Sequence, residues 1–187
     1  AADLDVADNC GRITVTANDY GANATGDVAV KSDTGSVITA VDAFTYLAEG
    51  LITSVVPNAG MANANEDPIV ISGERLLGGG SEVATVEFAG VEGFVVSSSD
   101  TEVQARPFEG PDGGGTGDVV LTSDTGVVVR APGAWTYSSI NGVSPDSGQR
   151  GTVVDITGVA LFAGGDEVDE VRLGGVIVTE VVFANAS

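Results

Sequence analysis

Twenty-seven carboxylates are the groups in this chain best equipped for chemistry, and their spacing narrows what that chemistry is. Asp166, Glu167, Asp169 and Glu170 cluster just behind Gly164-Gly165, and hard oxygen donors beside a glycine turn suit a hard cation such as calcium. Asp112 and Asp118 bracket a second glycine loop. Neither set has EF-hand spacing, so a solvated acidic loop is the plainer expectation and calcium the alternative. A carboxylate pair could instead cleave a glycoside, which needs one raised and one ordinary carboxyl group flanking a cleft. No motif singles out such a pair.

The absence of histidine rules out Ser-His and Cys-His nucleophile pairs. Cys10, the one cysteine, has no lysine near it in sequence to lower its thiol pKa. It reads either as a small buried side chain or, in a secreted protein, as a thiol that forms an intermolecular disulfide with another chain or repeat. The runs Gly78-Gly79-Gly80 and Gly113-Gly114-Gly115 lack the Lys-Ser/Thr and the helix that a phosphate cradle requires. Lys31 is the only lysine, and strand alternation turns it toward water, away from any Lys-Asn cross-link. Asn23-Ala24-Thr25 and Asn185-Ala186-Ser187 read as N-glycosylation acceptors in a secretory compartment.

A formal charge of −20 excludes nucleic-acid binding, which needs clustered Lys and Arg against phosphates. No apolar run is long enough for a membrane-spanning helix, so no membrane insertion is expected. The opening residues Ala1-Ala2-Asp3-Leu4-Asp5 carry neither methionine nor a leader, and the expectation is a mature or excised, extracellular chain.

The elements that must carry these groups are short strands. Runs such as Val119-Val120-Leu121 lie between Gly, Asp, Asn and Ser clusters, and no stretch holds helical periodicity. Residues 52–56, 68–72, 83–88, 94–97, 101–105, 118–122 and 127–137 read as about seven strands of an all-β antiparallel sandwich. Alternation puts Val119 and Leu121 on one face, and likewise Val28 and Val30. Trp135, Tyr137, Phe44 and Tyr46 are expected in cores.

Two families of internal echoes divide the chain. Ser32-Asp33-Thr34-Gly35 returns 91 residues later as Ser123-Asp124-Thr125-Gly126, and Phe44-Thr45-Tyr46 returns as Trp135-Thr136-Tyr137 at the same offset. In the other direction, Val56-Pro57-Asn58-Ala59-Gly60 is echoed by Ser144-Pro145-Asp146-Ser147-Gly148, and Ile71-Ser72-Gly73 by Ile156-Thr157-Gly158. The first family marks domain ends, the second domain beginnings. Ordered as Ile52 to Pro57, Gly60, Ile71-Ser72-Gly73, Val86 to Val91, Thr101 to Ala105, Ser123 to Gly126 and Trp135 to Tyr137, the middle copy resembles the IPT/TIG module. That is an immunoglobulin-like domain shared by plexins, certain transcription factors and many extracellular microbial proteins.

The resemblance implies tandem immunoglobulin-like β-sandwiches with a complete domain at 48–137. Residues 1–47 are similar to the C-terminal half of such a domain and residues 138–187 to its N-terminal half. Half a sandwich exposes an apolar face and strand edges that invite pairing. The expected partner is self: another copy, or an adjacent repeat of a longer chain, assembled head to tail through Val28, Val30, Phe44 and Tyr46 on one side and Ile156, Leu161, Val171 and Leu173 on the other. The functional expectation is therefore a non-enzymatic structural unit of an extracellular filament or surface appendage. A secreted adhesion or carbohydrate- or protein-binding module is the alternative, and an accessory module of a secreted enzyme a third.

Overall fold

The structure, a computed structural model, describes residues 11–18, 23–61, 68–178 and 181. Cys10 and Asn185 lie outside the described residues. The chain divides after Ala48 into two compact units, and every regular element among the described residues is a strand.

The first unit is built on one hairpin, β1 (Ala24–Lys31) antiparallel to β2 (Val37–Tyr46). Its turn closes where the Gly35 N–H donates to Ser32 O at 3.0 Å, with Gly35 at φ 89°, a conformation that costs glycine no Cβ clash. Two strands cannot bury a face between them. Val28 and Val30 accordingly stay 42% and 41% exposed and Phe44 45% exposed. These residues and Tyr46, expected inward or in a core once their half-domain is completed, are exposed or half-buried in the hairpin, and among the described residues of this unit no second layer faces it. Phe44 and the half-buried Tyr46 meet edge to face at 5.0 Å.

The second unit contains β3 (Leu51–Val56), β4 (Ala59–Gly60), β5 (Ile69–Glu74), β6 (Val83–Phe88), β7 (Val91–Ser98), β8 (Glu102–Pro107), β9 (Gly115–Ser123) and β10 (Val128–Tyr137). They form one eight-stranded sheet in the order β3-β5-β8-β7-β6-β9-β10-β4, antiparallel except where β4 runs parallel to β10. The sheet turns back on itself until β10 meets β3, and the two resulting layers enclose a single core as in an immunoglobulin-like sandwich. Ile71, Val86, Phe88, Val103, Val119 and Leu121 are fully buried there. Each such side chain contributes about 1.5–3 kcal/mol relative to exposure. All seven expected strands are present; β4 is the addition.

Trp135 sits at the centre of this core, edge-on to Phe88 at 5.1 Å and to Tyr137 at 5.7 Å. The Tyr137 hydroxyl donates to Phe108 O at 3.1 Å, and burial pushes its pKa up to about 12.

Beyond Tyr137 the chain continues into β11 (Ser139–Ser144) and β12 (Asp155–Val159), an antiparallel pair, and then β13 (Arg172–Leu173) and β14 (Val176–Ile177), another. These belong to the same compact unit as β3 to β10. Ser138 ties them in, its N–H donating to Gly60 O at 2.9 Å and its hydroxyl to Ala160 O at 2.8 Å.

Candidate functional site

The terminal hairpins reproduce the central sandwich residue by residue. In β1-β2 the pairs Ala24↔Tyr46, Gly26↔Phe44, Val28↔Ala40 and Val30↔Ile38 match Gly115↔Tyr137, Gly117↔Trp135, Val119↔Ala131 and Leu121↔Val129 of β9-β10, with the register shift at the same place. Side-chain bonds follow suit. Thr25 and Thr45 hydroxyls meet at 2.8 Å, as do those of Thr116 and Thr136. Asp27 Oδ1 accepts from Asp42 N at 2.9 Å, as Asp118 Oδ1 accepts from Gly133 N at 2.9 Å.

The other end reproduces the other half. Ile140↔Gly158, Val143↔Ile156 and Ser144↔Asp155 of β11-β12 match Ile52↔Gly73, Val55↔Ile71 and Val56↔Val70 of β3-β5. A Cβ on Gly158 would strike Ser139 O and Leu161 Cδ2, as one on Gly73 would strike Leu51 O and Leu76 Cδ2. Arg172↔Ile177 and Leu173↔Val176 of β13-β14 match Glu87↔Glu92 and Phe88↔Val91 of β6-β7.

What differs is burial. Ile52, Val55, Leu76 and Phe88 are 8%, 9%, 1% and 0% exposed, whereas Ile140, Val143, Leu161 and Leu173 are 65%, 44%, 37% and 37% exposed. Val171 and Ile156 are half-buried where Val86 and Ile71 are fully buried. The residues expected from sequence at the assembly surfaces thus fall at positions whose counterparts are core in the central domain, and among the described residues they are themselves exposed or half-buried. Ile13 and Val15, 58% and 71% exposed, lie outside any strand. They alternate as the buried Val103 and Ala105 of β8 do. Their signal was the alternation Arg12-Ile13-Thr14-Val15-Thr16, which mirrors Glu102-Val103-Gln104-Ala105-Arg106.

Residues 51–137 match the IPT/TIG domain. No curated protein matches the chain. The IPT/TIG domain therefore coincides with β3 to β10, the part of the molecule whose core is closed.

On the IPT/TIG domain one shallow groove is lined by Ala84, Glu92, Phe94, Val96, Ser98 and Phe108. Phe94 and Phe108 are 57% and 50% exposed. The calcium candidates do not converge: among the described residues no group of three or more His, Cys, Asp or Glu side chains is placed to hold a metal. Glu170 instead takes the Arg172 guanidinium, Oε2 accepting from Nη2 at 3.1 Å while Oε1 meets Nε. Asp118 is likewise engaged, by Gly133 N and by Arg130 Nη1 at 2.7 Å. Both contacts hold its carboxyl below the usual range, the backbone bond most strongly. Asn23 is exposed at the head of β1, its Oδ1 accepting from Ala48 N at 2.5 Å.

Proposed function

We propose that the chain is a structural module of an extracellular filament or surface appendage, in which residues 138–187 of one copy and 1–47 of another complete one IPT/TIG-like sandwich. The supporting observation is a division of parts. β11 to β14 carry the ladders of β3, β5, β6 and β7, β1 and β2 carry those of β9 and β10, and neither set repeats the other. Joining them would bury apolar side chains now 37–73% exposed, at about 25 cal/mol per Å² of apolar area removed from water. It would also pair strand edges that otherwise template aggregation. A head-to-tail contact of this kind propagates as a fibre unless its rotation closes a ring. The same completion operates between separate subunits and between successive repeats of a longer chain. No catalytic step enters this reading, and glycans on Asn23 and Asn185 would decorate the fibre.

Sedimentation velocity and electron microscopy across a concentration series test it. The chain should form linear polymers as concentration rises. Val171→Asp or Leu173→Asp, which would place an unpaired carboxylate in the completed core, should remain monomeric with an unchanged melting transition of the IPT/TIG domain. Normal fibres from either variant refute the reading.

The exposed Phe94 and Phe108 favour a second reading, a secreted adhesion or carbohydrate- or protein-binding module. Aromatic faces lining a groove are suited to such ligands. Glycan-array binding by monomeric Val171→Asp, lost on Phe94→Ala, would select it.

A further inference from the structure

Resting on the half-domain reading, we infer that the two halves join in one register, with β1 of one copy antiparallel to β13 of another and Lys31 opposite Glu170. The register comes from the closed domain. There β9 and β6 pair Val119↔Phe88, Val120↔Glu87, Leu121↔Val86 and Thr122↔Thr85. β1 shares its internal ladder with β9, and β13 shares its ladder and turn with β6. Val28 therefore falls opposite Leu173, Ala29 opposite Arg172, Val30 opposite Val171 and Lys31 opposite Glu170.

The hydrophobic pairs alone would tolerate a two-residue slip, because Val28 and Val30 on one side face Val171 and Leu173 on the other. Charge removes that freedom. Opposite charges directly across an antiparallel pair attract and like charges repel. The chain holds one lysine, on β1. Four of the six residues before β13 are acidic, Asp166, Glu167, Asp169 and Glu170, and Arg172 opens the strand. In the inferred register Lys31 meets Glu170, beside the Arg172 that Glu170 already binds. Shifted two residues toward Leu173, Lys31 would lie opposite Arg172 and lose its acidic partner. In the closed domain the same outward position holds Thr122 and Thr85, which pair without charge and so favour no outside copy. The lysine and the acidic run thus act as a key for joining copies, and the acidic loop gains a protein cation as its partner.

Charge reversal tests the register separately from assembly. Lys31→Glu and Glu170→Lys should each weaken self-association about tenfold, combining a lost attraction with a new repulsion, and the double reversal should recover most of that loss. A double variant no stronger than the singles, or singles that associate like the parent chain, overturns the register and leaves the half-domain reading standing. A parent chain that stays monomeric at every concentration overturns both. A covalent readout confirms the position. On a Cys10→Ser background, Ala29→Cys copies mixed with Arg172→Cys copies should form a mixed disulfide under mild oxidation, and Ala29→Cys with Glu170→Cys should form far less. Equal yields would refute the inferred alignment.

Discussion

The same aromatic pair occurs twice in this chain under opposite conditions. Trp135 and Tyr137 are 1% and 2% exposed, whereas their counterparts Phe44, 45% exposed, and the half-buried Tyr46 meet edge to face on a two-stranded hairpin. Residue type is therefore not what fixes burial here; the opposing layer is. Trp135→Ala should cost about 3–5 kcal/mol of domain stability, read from urea unfolding by circular dichroism. Phe44→Ala should leave the Trp135 fluorescence midpoint of dilute protein within about 0.5 kcal/mol of the parent, as exposed substitutions do. Under the proposed completion its effect would fall on association, where it would remove an aromatic from the joined core. A large shift in that midpoint would show that Phe44 already packs against the closed domain.

At the scale of elements, the β9-β10 hairpin carries an acid-sensitive clasp. Asp118 accepts from Gly133 N across the irregular stretch of β10 and pairs with Arg130, and both favour its ionised form. The folded pKa is thus depressed below 3.8, so the stabilisation is present above that value and is lost as pH falls through the lower folded value. Asp118→Asn should flatten the acid limb of the melting-temperature profile of the IPT/TIG domain; an unchanged limb would assign acid lability elsewhere. Strands such as β8 were legible because Glu102 to Pro107 alternates outward and buried residues, and others, such as β9 with Val119-Val120-Leu121, as short apolar runs between turn residues. β4 was not, since two residues carry no period and its parallel pairing to Thr136 and Tyr137 is a long-range matter. The residues read as assembly candidates were legible as echoes of core positions, and their exposure followed from the count of strands at each end, although nothing in Phe44 or Leu173 alone says whether a partner layer is present.

For the whole molecule, charge and shape pull in opposite directions. A net charge of −20 makes two copies repel at long range, while the contact that would join them is apolar with one short-range ion pair. The screening length falls from about 30 Å at 0.01 M to about 10 Å at 0.1 M salt, so repulsion between copies fades before a paired contact does. Association should therefore strengthen across that range, as measured by light scattering at fixed protein concentration. Weakening across it would mean that ion pairs, and not apolar completion, dominate the joint.

The parallel match of β4 to β10 bears on mechanical load. The chain enters the IPT/TIG domain through β3 and β4 and leaves through β10, so tension along it draws β4 backward and β10 forward along a common axis. Thr136 N to Asn58 O at 3.0 Å and Ser138 N to Gly60 O at 2.9 Å would then be strained together in shear, not peeled apart one after another. A module fastened in that way resists stretching out of proportion to the two residues that do the fastening.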